Sequence, residues 1–142
     1  MASRALVGVA ARSLGTVEDT ITLVQYRALV LLASRGGMNV GSLADAFELH
    51  QSTATRLCDR LVTKGFIERT PSAESRREVV VALTPAGRAL VRSVTARRRK
   101  EIDAIMARLS PSQRVLIVEA FTAFSEAAGE VPDEAWKLGW TE

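Results

Sequence analysis

After Gly65 the apolar residues stop recurring at helical spacing and begin to alternate. The runs "FIERT" (66–70) and "VVVAL" (79–83) are rich in β-branched and aromatic residues, and a proline-, serine- and charge-rich stretch containing "SAESRRE" (72–78) lies between them. A period of about 2 on both sides of a turn-forming segment predicts a two-stranded hairpin. The helical period resumes at Thr84 and Pro85, a capping hydroxyl followed by a proline at the one helical position that needs no N–H. One excursion into β structure inside a helical pattern makes the chain mostly α with a small β-hairpin.

The flanking helices follow from spacing and caps. Leu6, Val7, Ala10, Leu14 and Val17 predict a first helix over residues 3–18, weakened by Gly8 and Gly15. "TLVQ" (22–25) is a capping box in which Thr22 and Gln25 satisfy free backbone donors, and it opens a helix to about Ser34 that "RGG" stops. Asn39 caps a short helix that turns Leu43, Ala44 and Phe47 inward. "LHQ" separates this from a helix over about 52–64, which Gly65 ends. The helix from Pro85 runs to about Leu109, and "SPSQ" (110–113) repeats the capping logic to start a last helix that Gly129 ends. The third to fifth elements, two helices joined by a turn and then a hairpin, are the parts of a winged helix.

At 142 residues with 47% apolar and 25% charged content, the chain is of single-domain length and able to bury a core. No apolar run approaches the roughly 18 residues of a membrane span, and the N-terminus lacks a convincing cleavage site, which predicts a soluble cytoplasmic protein with no membrane partner. One cysteine and one histidine are too few for a structural zinc site, and no cofactor is expected. The acidic residues are scattered over different elements, so no paired carboxylates or nucleophile–base pair suggests an enzyme. Charge is segregated instead. Residues 51–100 hold twelve Lys/Arg against four Asp/Glu, a net +8, whereas the rest of the chain nets −5. A basic middle between acidic flanks points to a polyanion.

With about 100° per residue, the helix over 52–64 places Ala54, Leu57, Cys58 and Leu61 on one side and Ser52, Arg56, Asp59 and Thr63 on the other, with Thr55 and Arg60 flanking. A plain surface helix would carry Glu and Lys rather than "QSTAT". Short hydroxyls allow close approach to a groove, first-turn N–H groups suit phosphate, and an outward arginine can pair bidentately with guanine. The hairpin tip adds Arg76 and Arg77, placed to reach a minor groove, where negative potential attracts arginine. Gln51, Ser52, Thr53, Thr55, Arg56, Arg60, Arg76 and Arg77, with Asn39 beside them, form the candidate DNA-contacting set.

"TLVQYRALVLLA", "GSLADAFELHQSTATRLCDRLVTKGFIERT" and "RREVVVALTPAGR" resemble the successive motifs of the MarR family of winged helix-turn-helix transcriptional regulators, over residues 20–125. The resemblance implies one domain over residues 1–142, with a winged-helix core at about 22–88 and dimerisation helices at about 2–18 and 86–129 plus the tail. It also implies a sequence-specific, ligand-responsive repressor acting as a homodimer on a pseudo-palindromic operator. Residues 51–56 would then face the major groove, and Arg77 would be the wing arginine. Two positions depart from the family: Ser75 replaces a usual aspartate that braces the wing, and His50 stands where a small capping residue is common. The first helix is also shorter than the family usually shows.

A small aromatic or anionic effector is implied between the dimer helices and the winged helix. Tyr26 and Arg27 lie on a helix able to line such a pocket, although core packing explains Tyr26 equally well. The residues support a dimer independently. "VLIV", Ala120, Phe121, Ala123 and Phe124 leave the last helix little polar face, and Val131, Trp136, Leu138 and Trp140 extend the apolar surface. Cys58, on the inner face, reads as a small buried hydrophobe rather than a redox sensor. The four basic residues of "ARRRK" (96–100) cannot share one helix face. The alternative to DNA binding is a winged helix used as a protein–protein interaction module, which predicts a neutral or acidic wing.

Overall fold

The computed structural model describes residues 2–15, 17, 20–72, 79–131 and 136. Among the described residues, six helices and a small antiparallel sheet follow in the order α1 (Ala2–Leu14), α2 (Leu23–Arg35), β1 (Met38–Asn39), α3 (Val40–Ala46), α4 (Gln51–Thr63), β2 (Ile67–Pro71), β3 (Val79–Leu83), α5 (Pro85–Met106) and α6 (Pro111–Ala127). The fold is a winged helix carried between terminal helices. Among the described residues no helix is long and apolar enough to cross a membrane.

The capping residues set the helix starts. Thr22 accepts from Gln25 N–H while Gln25 Oε1 accepts from Thr22 N–H, and Ser110 and Gln113 reproduce that exchange at α6. Asn39 Oδ1 accepts from Ser42 N–H at 2.7 Å, and Thr84 Oγ1 accepts from Gly87 N–H at 3.1 Å. Some ends differ from expectation. The first helix stops at Leu14 rather than 18, where Val17 N–H turns back to Leu14 O. The long helix stops at Met106 rather than Leu109, because the amides of Arg108 and Leu109 bond three residues back instead of four. Gly36, Gly65 and Gly129 all have positive φ, which is how each helix exit turns sharply.

The hairpin is present, and it gains a third strand. β3 pairs with β2 on one side and with the two residues of β1 on the other, Met38 opposite Val81 and Asn39 opposite Val80. A two-residue strand shows no alternation, so no sequence period could have exposed it. Asn39 thus closes the sheet edge and caps α3 at once.

The core joins α2, α3, α4, the sheet and α5 through Tyr26, Leu29, Leu43, Leu61, Ile67, Val81, Val91 and Val94, each no more than 2% exposed. The first turn of α5 is docked onto the exit of α4. Thr84 Oγ1 donates to Gly65 O at 2.6 Å, Thr84 N–H reaches Phe66 O at 3.1 Å, and a Cβ at Gly87 would stand only 2.1 Å from Phe66 O. Glycine is therefore required there by close approach rather than by φ. At the other end, the Arg12 and Glu101 side chains join α1 to α5 at 2.7 Å. α6 buries none of its residues, and Val115, Leu116, Val118, Phe121 and Phe124 are exposed.

Candidate nucleic-acid interface

α4 divides as its spacing predicts. Ala54, Leu57, Cys58 and Leu61 are buried, while Gln51, Ser52, Thr53, Arg56, Asp59, Arg60 and Thr63 are exposed and Thr55 is half-buried. The inner residues fix the rotation of the helix, and that rotation determines which side chains face outward. His50 occupies the N-cap with extended backbone but makes no side-chain cap bond, so part of the first-turn N–H set remains open to an outside acceptor.

Internal bonds shape what the outer face can offer. Thr55 Oγ1 donates to Gln51 O at 2.8 Å, leaving its lone pairs and methyl group facing outward. Arg56 Nε donates to Ser52 O at 3.3 Å, so the side chain lies back along the first two turns. Its remaining guanidinium donors retain the planar fork that suits a guanine edge or a phosphate. Asp59 would repel phosphate, but its Oδ1 is 2.6 Å from Arg69 Nη2 of β2. This pair both offsets the carboxylate and holds the first wing strand against α4.

The far end of α4 is anchored as well. Lys64 Nζ donates to Thr20 O at 2.6 Å and to Gln25 Oε1 at 2.9 Å. Because Gln25 Oε1 also accepts from Thr22 N–H, one buried amide oxygen joins the α2 cap to the exit of α4. Sequence reading missed both Lys64 and Arg69. Each acts across a gap in sequence, and only the fold brings the partners together.

Asn39 is half-buried beside this face, with Oδ1 committed to the α3 cap. The wing tip, with Arg76 and Arg77 as well as Glu74, Ser75 and Glu78, lies outside the described residues. What is described is its base, where Pro71 pairs with Val79. Burial pushes the Cys58 thiol above its usual pKa, with Asp59 adding to the rise and Arg69 opposing it. A buried, protonated thiol packs rather than reacts.

Tyr26 and Arg27 border a separate cleft of about 610 Å³ between α1, α2 and α5, which Arg98, Ile102 and Trp136 also line. Tyr26 is only 2% exposed, yet its hydroxyl has no hydrogen-bond partner among the described residues, and neither does Arg98 Nε. Core packing accounts for the Tyr26 ring but not for its oxygen. Arg98 lies over that ring at 5.8 Å from the centroid, and Arg27 lies over Phe47 at 5.6 Å. The "ARRRK" residues divide as expected, Arg97 and Arg98 half-buried and Arg99 and Lys100 exposed. Among the described residues no group of three or more His, Cys, Asp or Glu is placed to hold a metal.

Comparison with known proteins gives a consistent result. The MarR family model matches residues 21–79. The crystal structure of RV1404 from Mycobacterium tuberculosis superposes with a TM-score of 0.86 at 43% identity, covering 93% of this chain and 90% of that one. The uncharacterized HTH-type transcriptional regulator YfiV of Bacillus subtilis is 30% identical over 107 residues, 75% of this chain and 67% of its own. Bordetella bronchiseptica BpsR, whose DNA binding is regulated by 6-hydroxynicotinic acid, superposes with a TM-score of 0.60 at 25% identity over 87% of each chain.

Proposed function

The chain belongs to the MarR family of winged-helix, DNA-binding transcriptional regulators and is not an enzyme, and on that premise we propose that it is a ligand-responsive repressor acting as a homodimer on a pseudo-palindromic operator. The observation that carries this reading is the outer face of α4, where Gln51, Ser52, Thr53 and Arg56 are exposed above a fully packed inner face. These four, with Thr55 and Arg60, read or flank the major groove. Asn39 supports the approach from the sheet edge, and Arg76 and Arg77 reach an adjacent minor groove from the wing tip. The excess of basic residues over 51–100 supplies the phosphate attraction.

The whole chain works as one domain, with a winged-helix core at about 22–88. The apolar face of α6, from Val115 to Phe124, together with α1, supplies the two-fold interface; an unpartnered surface of that kind is otherwise costly. The cleft beside Tyr26 and Arg27 takes a small aromatic anion. Its buried, unpaired hydroxyl and neighbouring guanidinium groups favour such a ligand, and the regulation of BpsR by an aromatic acid supports the choice of class. The protein acts in the cytoplasm, where its DNA is. The test is to titrate aromatic acids against the protein bound to its selected duplex. Release of DNA supports the effector reading, and unchanged DNA affinity at saturating cleft occupancy rejects it.

A further inference from the structure

Lys64 belongs to the basic segment of the chain, yet its charge is spent on the molecule itself. It is the C-cap residue of α4, and its Nζ donates to Thr20 O at 2.6 Å and to Gln25 Oε1 at 2.9 Å, across 44 and 39 residues. Both acceptors are neutral oxygens. The contact therefore selects a geometry rather than cancelling a charge, and the ammonium is committed away from any phosphate.

The two acceptors belong to a connection that is itself well held. Thr20 and Ile21 N–H both bond to Val17 O, at 2.8 and 2.9 Å, and Val17 N–H turns back to Leu14 O at the end of α1. Ile21 is 2% exposed, and the buried Gln25 also closes the cap of α2 by accepting from Thr22 N–H. The connection is thus fixed to both helices it joins. The backbone of α4 lies against α3 and β2 far more than against α2. Lys64 spans that gap, from the exit of α4 to the junction of α1 and α2.

We infer that Lys64 is a positioning residue for DNA recognition: it locks the exit of α4 to the α1–α2 connection and so fixes how far apart the two α4 helices of a dimer stand. The buried face of α4 sets the rotation of the helix about its own axis; the lysine sets where its end stands relative to α1. The inference rests on the homodimer reading above, in which α1 forms part of the two-fold interface. Shifting one half-site by a single base pair moves it about 3.4 Å along the duplex and roughly 35° around it, so a rigid pair of helices discriminates against the change and a loosened pair tolerates it.

The experiment compares wild type, Lys64→Met and Gln25→Leu, all as full chains, on the selected duplex, on versions with one base pair added or removed between the half-sites, and on random duplex. In wild type the altered spacings should bind many-fold more weakly. Lys64→Met should shrink that penalty several-fold while leaving random-duplex affinity and its salt dependence as in wild type. Gln25→Leu keeps the charge and removes one acceptor, so it should shift the penalty in the same direction, and it decides the matter if Lys64→Met does not fold. A wild-type spacing penalty in both variants overturns the inference. So does an equal loss by Lys64→Met on every duplex with a salt slope lower by about 1, which would make Lys64 a phosphate contact. Amide hydrogen exchange without DNA separates this inference from the reading beneath it: Lys64→Met should speed exchange in residues 20–25 and in the last turn of α4, and unchanged exchange there overturns the tie. A selected site with no inverted repeat rejects the homodimer reading, and the spacing role with it, whatever the exchange shows.

Discussion

Arg69 Nη2 lies 2.6 Å from Asp59 Oδ1, which pins the strand entering the wing to the outer face of α4. Both side chains are substantially exposed, at 39% and 52%, so the contact contributes orientation more than stability. Arg69→Ala should change the unfolding free energy by no more than about 1 kcal/mol. It should nonetheless weaken specific DNA binding more than non-specific binding, because the angle between α4 and the wing is no longer held. Denaturant unfolding and paired titrations on specific and random duplexes check this; equal losses on both duplexes would make Arg69 a phosphate contact instead.

Arg56 is exposed on the outer face of α4 and, in the reading proposed above, reads a base. Arg56→Ala should cost about 1–3 kcal/mol on the best site and relax the preference at one base position in each half-site. The measurement is a binding-site selection on the variant. Unchanged selectivity with lower affinity would assign Arg56 to the backbone.

Gly87→Ala tests how the wing is docked. The added Cβ would collide with the Phe66 carbonyl oxygen, a backbone atom with little freedom to move, so α5 or the β2 entry must shift. A loss of about 1–3 kcal/mol is expected from overpacking at this site. A chemical denaturation midpoint within error of wild type would show that the two backbones are not held together.

Much of this arrangement was legible from local chemistry. The caps at Thr22, Asn39, Thr84 and Ser110 are each set by a few neighbouring residues, and the inner face of α4 follows from rotation per residue alone. What was not legible depends on distance along the chain. Lys64 meets Thr20 and Gln25 across about forty residues, and Arg69 meets Asp59 only once the hairpin register is set. β1 is too short to carry a period, and the return of residues 128–131 to the cleft that Tyr26 borders required the turn after α6.

The wing arginines make a separate prediction. If Arg77 enters the minor groove, Arg77→Ala should weaken binding across many sites, lower the slope of log K against log salt by about 1, and flatten the preference for A/T-rich flanks. Arg76→Ala should do less. A salt series on both variants, with A/T-rich and G/C-rich flanks around one core, separates the cases; wild-type slopes and flank preferences for Arg77→Ala would leave the wing outside the groove.

The most direct measurement is selection of the full chain's preferred duplex from a random pool, followed by the stoichiometry of the complex on the selected sequence. A homodimer presenting two α4 helices about a two-fold axis predicts an inverted repeat with half-site centres roughly 10 base pairs apart and two chains per duplex. A single unrepeated site bound by one chain, or no enriched sequence at all, would contradict it.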